Sequence, residues 1–126
     1  MIKRTNSILD FFEESARKFP DKIAFADENN AITYKEIVKK ARRMAVGISE
    51  KSPPRSAVAV LGGKNIETIT AFFACVYAGC FYVPLNPAHP SCRRNRILKT
   101  LNHPLVLIER GFENLLPEEC EEIYFT

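Results

Sequence analysis

Apolar residues along this chain follow two different periods, and the switches between them mark the predicted elements. After Ser7, a plausible N-cap, Ile8, Phe11, Phe12, Ala16 and Phe19 recur at helical spacing, and Pro20 marks the stop. Residues 23–27 and Ala31–Thr33 bracket Glu28-Asn29-Asn30, which predicts a small β-hairpin. Thr33 and Glu36 then stand at capping-box spacing, where hydroxyl and carboxylate each satisfy a free backbone N–H at a helix start. That helix runs toward Glu50, with Ile37, Ala41, Met44, Ala45 and Ile48 on one stripe. Lys39, Lys40, Arg42 and Arg43 fall mostly off it.

Residues 52–55 read as a loop. Strand Ala57–Leu61, helix 65–78, strand Phe81–Leu85, helix 91–101 and strand Leu105–Ile108 follow, with residues 123–125 as one more strand. Gly79 suits the position just past a helix end, because it reaches positive φ without a Cβ penalty. Strand–helix alternation with short loops and continuous apolar strands predicts an α/β fold: a mostly parallel sheet flanked by helices, with the hairpin at the N-terminus. The helix over 65–78 is unusual, because between Ile69 and Ala78 only Thr70 is clearly polar. A sheet covers one face of such a helix. The other, with Phe72, Phe73, Val76 and Tyr77, is expected either to be shielded by a neighbour such as helix 91–101 or to drive self-association into homo-oligomers.

At 126 residues the chain has room for one domain, and its 46% apolar and 26% charged fractions are those of an ordinary globular protein. The net charge of +3 is too slight to imply nucleic acid. Between Lys35 and Arg55 seven basic residues stand against two acidic ones, while residues 113–122 carry five acids and no base. Such blocks read as solvated faces rather than binding tails. No signal-peptide h-region follows Met1, and no apolar run approaches the ~18 residues that span a bilayer. Cys75, Cys80, Cys92 and Cys120 lack C-x-x-C spacing and the two histidines lie apart, which argues against a zinc site and for reduced thiols in a cytoplasm.

Candidate chemistry is sparse. Gly62-Gly63-Lys64-Asn65 joins a strand to a helix, where backbone N–H groups can hold a phosphate. It matches neither common Gly-rich fingerprint, so a tight turn with Asn65 as cap is the preferred reading. His89, between prolines, reads as a solvated loop residue or a surface binding residue. Arg93, Arg94 and Arg96 can face an acidic partner, with Arg93 read as structural. Cys75 and Cys80 read as small core residues, with no histidine base nearby. Asp10, Glu13 and Glu14 suit the start of a helix rather than an acid–base pair.

Three runs, in order, carry a family resemblance. Residues 78–93, Ala-Gly-Cys-Phe-Tyr-Val-Pro-Leu-Asn-Pro-Ala-His-Pro-Ser-Cys-Arg, resemble the A-G-x-x-Y-V-P-L-[DN]-P-x-x-P-x-x-R signature of adenylate-forming enzymes, the AMP-binding ligase superfamily. Ile32-Thr33-Tyr34-Lys35-Glu36-Ile37 resembles the L-T-Y-x-E-L core motif of its adenylation domains, and Phe19-Pro20-Asp21-Lys22-Ile23-Ala24 resembles the H-P-D-x-x-A opening. The resemblance covers about residues 6–110. Asn86 stands where peptide synthetases usually have Asp, and Cys92 where P-x-E-R has Glu. Acyl-CoA synthetases often have Asn at the first position, while Pro90 with Arg93 points to amino-acid activation, as in non-ribosomal peptide synthetases and D-alanine-activating ligases.

The resemblance implies ATP-dependent formation of an acyl-adenylate, with magnesium, before transfer to a carrier-protein or CoA thiol. The phosphate loop, adenine-binding aromatic, ribose-binding Asp and C-terminal lysine of such families find no match here. No catalytic, cofactor-binding or metal-binding residue is therefore carried over. Residues 1–126 are expected to be a partial, N-terminal α/β piece whose partner is the remainder of an adenylation domain, and to be inactive alone. The competing reading is a stand-alone α/β interaction module, of which a receiver-like or flavodoxin-like domain is a weaker form.

Overall fold

Successive residues of a strand face opposite sides of a sheet, and the strand Ala57–Leu61 shows what covers each side. Val58 and Val60 pack with Ala41, Ile48, Ala71, Ala74 and Cys75, whereas Ala59 and Leu61 pack with Leu85, Leu98, Val106 and Ile108. The computed structural model describes residues 8–117 and 120–125. Ser7, the predicted first cap, lies outside them.

The element order is α1 (Ile8–Lys18), β1 (Ile23–Ala26), β2 (Ala31–Thr33), α2 (Tyr34–Lys51), β3 (Ala57–Leu61), α3 (Ile66–Tyr77), β4 (Phe81–Leu85), α4 (Ser91–Thr100), β5 (Leu105–Ile108), a single 3₁₀ turn (Glu113–Leu115) and β6 (Glu122–Tyr124). β1 and β2 form the predicted antiparallel hairpin. The main sheet has the order β4-β3-β5-β6, and its pairs are parallel. β6 begins one residue before its predicted start, because Val106 pairs with Glu122.

This strand order assigns the helices to faces. β4 lies on one side of β3 and β5 on the other, so two right-handed crossovers place α3 and α4 on opposite faces. α4 therefore does not shield the far side of α3, contrary to the sequence expectation. That cover comes from α2 and α1. Phe73 stacks on Phe12 of α1 with ring centroids 4.2 Å apart, and α2 inserts Ala41 and Ile48 beside Ala71 and Ala74. Phe72 stacks instead on Tyr82 of the edge strand at 4.4 Å. Phe72, Phe73, Val76 and Tyr77 end up half-buried.

A polar knot ties the three helices at their outer surface. Glu13 of α1 accepts hydrogen bonds from the Tyr77 hydroxyl at 2.8 Å and from Arg42. Burial, and then the Glu13 carboxylate, push the Tyr77 hydroxyl well above its ordinary pKa. The helix ends follow local chemistry. The Thr33–Glu36 capping box is present, with Thr33 Oγ1 accepting from Glu36 N at 3.2 Å and Glu36 Oε1 accepting from Thr33 N at 3.3 Å. α3 closes in a Schellman motif: Gly79, at φ 77°, donates to Val76 O, and Cys80 donates to Cys75 O.

Candidate functional site

The loop after β3 leads to α3 on one face, and the loop after β4 leads to α4 on the other. Where neighbouring parallel strands part in this way, a crevice opens at their C-terminal ends. Here it is a cavity of about 860 Å³ bounded by residues 62–65 and 84–89. Its apolar walls are Phe25, Ile69, Phe72, Leu85, Ile97 and Phe112, and its polar rim carries Asp27, Lys64, His89 and Arg93.

The first wall is braced by carboxylates. Glu109, at the end of β5, accepts from Gly63 N and from Asn65 Nδ2, each at 2.8 Å. Asn65 caps α3 as predicted, accepting from Thr68 N at 2.9 Å. Asp27 reaches from the hairpin turn: Oδ1 accepts from Asn29 N and Asn30 N, and Oδ2 from Ile66 N at 3.2 Å. Those backbone donors hold the Asp27 carboxyl below its ordinary pKa. Gly62 is demanded by close approach, since a Cβ there would meet Thr68 Oγ1 at 2.5 Å and Phe125 Cζ at 2.8 Å.

The second wall hangs on Arg94. Its guanidinium is buried at 3% exposure. Nη1 donates to Pro87 O at 3.3 Å and to His89 O, and Nε donates to Leu115 O at 3.4 Å. Asn86 closes the same turn by accepting from Ala88 N at 2.9 Å. This corrects the reading of the arginines. Arg94 is the structural one, while Arg93 is exposed at the cavity rim and Arg96 is exposed on α4. His89 is half-buried at the cavity wall rather than fully solvated.

The crevice does not fit a nucleotide phosphate at the α3 turn. The N–H groups of Gly63, Ile66 and Thr68 already bond Glu109, Asp27 and Asn65. An added phosphate would have to displace two internal carboxylates. Among the described residues no three His, Cys, Asp or Glu side chains converge to hold a metal ion.

The remaining candidates lie elsewhere. Cys75 and Cys80 are buried core residues, and burial, then the neighbouring Cys80, push the Cys75 thiol up to about 12. Glu14 pairs with Arg17 at 2.8 Å and Lys18 at 3.4 Å on α1, and Asp10 lies on its exposed first turn. Sequence reasoning missed the roles of Glu109 and Asp27, and it named Arg94 as a residue that can face an acidic partner rather than as the brace of the β4 loop. For Glu109 a signal existed, because an acid directly after a fully apolar strand lands beside the loop of the adjoining strand.

Comparison with known proteins gives a consistent neighbourhood. The family model described as AMP-binding enzyme matches residues 12–123. Gramicidin S synthase 2 of Brevibacillus brevis is 33% identical over 124 residues, 98% of this chain and 3% of that protein. Tyrocidine synthase 1 of Brevibacillus parabrevis is 35% identical over 111 residues, 87% of this chain and 10% of that protein. The solved structure of the non-ribosomal peptide synthetase FmoA3 in its AMPPNP-bound form superposes with a TM-score of 0.83 at 26% identity, covering 90% of this chain and 13% of that one. The chain thus spans about a tenth or less of the curated relatives named here.

Proposed function

Because this chain belongs to the family of AMP-binding enzymes, we propose that it is the N-terminal α/β portion of an enzyme that activates a carboxylate, foremost an amino acid, with ATP. In this reading the carboxylate attacks the α-phosphate, giving an acyl-adenylate and releasing pyrophosphate, and the acyl group then passes to a carrier-protein or CoA thiol. The observation that carries it is the family match across residues 12–123. The identity to peptide synthetases favours amino acids. Asn86 does not separate the branches, since its role is to accept a hydrogen bond from Ala88 N, and Asp accepts equally well.

The part assigned to this chain is scaffolding. ATP phosphates and magnesium would be held by the remainder of the adenylation domain, because the donors at the α3 turn are engaged internally. No helix among the described residues is long and apolar enough to cross a membrane, and a cytoplasmic setting belongs to the same proposal. So does self-association through the exposed Phe11, Phe81 and Tyr82, which light scattering would measure.

The test is a chimera in which this chain replaces the matching segment of a peptide synthetase adenylation domain. Amino-acid-dependent exchange of pyrophosphate into ATP is expected from the chimera and not from the 126-residue chain alone. Exchange by the isolated chain above a no-protein blank would overturn the assignment of catalysis elsewhere. A chimera as stable as its parent but without exchange would overturn the family role.

A further inference from the structure

We infer that the groove between α1 and α2 docks an acidic helix of another protein, whose carboxylates, one turn apart, meet Lys35 and Lys39. The groove has a volume of about 470 Å³. Ala16 and Val38, both half-buried, give it an apolar strip, and Glu13, Arg17, Lys35, Lys39 and Arg42 stand along it. None of these residues lines the crevice at the strand ends, so the inference is independent of the adenylating reading.

Charge along the groove divides into matched and unmatched groups. Glu13 accepts from Arg42 and Tyr77, and Glu14 pairs with Arg17 and Lys18, so α1 matches the cations beside it. Glu36 is the only acid between Tyr34 and Arg43, and its carboxylate is turned to Thr33 in the capping box. Lys35 and Lys39 remain, exposed and without a salt bridge among the described residues. Their placement works against the helix that carries them. Lys35 stands in the first turn of α2, where the helix dipole favours acids. Lys35 with Lys39, and Lys39 with Arg43, are like-charge pairs four residues apart, which destabilise a helix. Local rules broken without gain to the fold point to a functional surface.

The occupant follows from the spacing and from what surrounds it. Lys35 and Lys39 lie one turn apart on a rigid ridge, a spacing matched by carboxylates four residues apart on a second helix, and the apolar strip beside them takes an apolar side chain of that helix. A membrane surface is disfavoured, because the apolar face of α2, with Ile37, Ala41, Ala45 and Ile48, is already buried in the core and cannot insert. A nucleic acid is disfavoured by the net charge of only +3 and by the lack of any aromatic side chain along the groove.

The test uses two fluorescein-labelled, helix-favouring peptides of identical composition. In the first, glutamates four residues apart form one stripe with leucines beside it; in the second, the same residues are scattered around the helix. Each is titrated by anisotropy, at low salt, with the full chain, with the Lys35→Gln/Lys39→Gln variant and with Lys40→Gln/Arg43→Gln, which removes the same charge from α2 outside the groove. The full chain should bind the striped peptide at least about fivefold more tightly than the scattered one, the worth of two exposed ion pairs together. The groove variant should lose that preference, and the second variant should retain it. Equal affinity for the two peptides in the full chain would overturn the inference. So would a preference that survives in the groove variant, or one lost equally in the second variant. Duplex DNA and phosphatidylglycerol vesicles are titrated in parallel. Binding of either that exceeds the striped peptide and disappears in the groove variant would assign the lysines to a polyanion and overturn the protein partner.

Discussion

Removing the guanidinium of Arg94 should cost this fold several kcal/mol, whereas removing its neighbours Arg93 and Arg96 should cost almost nothing. Arg94 is 3% exposed and donates to three carbonyls, of Pro87, His89 and Leu115. A buried acceptor left without a donor costs about 1–3 kcal/mol. Two of these bonds are long, at 3.3 and 3.4 Å, and His89 and Leu115 are half-buried, so water can partly replace the lost donor. About 1 kcal/mol for each carbonyl is the reasonable figure, with roughly another 1 kcal/mol for packing of the aliphatic stem. Arg94→Ala should thus lose about 3–4 kcal/mol, a large share of the 5–15 typical of a domain. For a chain of this size that corresponds to a fall in Tm of roughly 10–15 °C. Arg94→Met keeps the stem and isolates the hydrogen-bond share. Arg94→Lys, with a compact head in place of the fork, should recover less than half of the loss. Urea unfolding followed by circular dichroism measures all of these against Arg93→Ala and Arg96→Ala, which should stay within about 0.5 kcal/mol of the parent. If Arg94→Ala falls in that same band, or if Arg94→Met matches the parent, the assignment of Arg94 as the brace of the β4 loop is wrong.

Four further outcomes follow from the geometry. Thr33→Ala removes the hydroxyl half of the α2 capping box and should cost about 1 kcal/mol in the same urea assay, with Thr33→Ser restoring most of it; no change would mean the cap is idle. Gly62→Ala sets a Cβ 2.5 Å from Thr68 Oγ1 and 2.8 Å from Phe125 Cζ, so a loss of about 1–3 kcal/mol is expected, and a neutral result would require the β6 end to yield freely. Iodoacetamide at mildly alkaline pH should label exposed Cys92 long before buried Cys75, whose thiol is pushed up to about 12; peptide mass mapping that finds equal rates would refute the packing. Asp27 has a depressed folded-state pKa, so its contribution is present above the unfolded value of about 4 and is lost as pH falls through the folded one. Stability should therefore drop less between pH 5 and 2, measured by thermal melts, in Asp27→Asn than in the parent, and parallel curves would deny the carboxylate that role.

Local signals were legible from the sequence and long-range ones were not. β3, β4 and β5 fall at their predicted residues, because each is a short apolar run bounded by turn residues. The Thr33 and Asn65 caps and the Gly79 terminator were also readable, since each depends on neighbours within four positions in the chain. The strand order was not, and the error over α3 came from it. Without knowing that β5 returns to the far side of β3, nothing in residues 91–101 says which face that helix takes. The end of α4 falls where helix 91–101 was predicted to stop, but the turn that closes it was not foreseen: Asn102 and His103 both adopt positive φ, at 57° and 56°, in a motif usually signalled by Gly. The braces Asp27 and Glu109 act across 39 and 46 positions of chain, and Arg94 reaches Leu115 across 21, distances over which residue spacing carries no information; the shorter reach of Arg94 to Pro87, over 7 positions, follows no regular period because it crosses a turn.

The run over residues 78–93 explains why a family can be legible while its chemistry is not. Gly79 closes α3, Pro84 sits in the exposed edge strand β4, Asn86 closes the following turn and Pro90 opens α4. Each of these residues specifies the path of the backbone around the crevice, and none requires a substrate. Arg93 breaks that pattern. It ends the run, yet its side chain is exposed at the cavity rim, has no ion-pair partner among the described residues, and leaves the bracing of the loop to Arg94. Arg93 thus adds an exposed charge to the rim of an apolar cavity that Lys64 and Asp27 also line. Its removal should therefore leave unfolding within about 0.5 kcal/mol of the parent, the reverse of what the buried Arg94 should show.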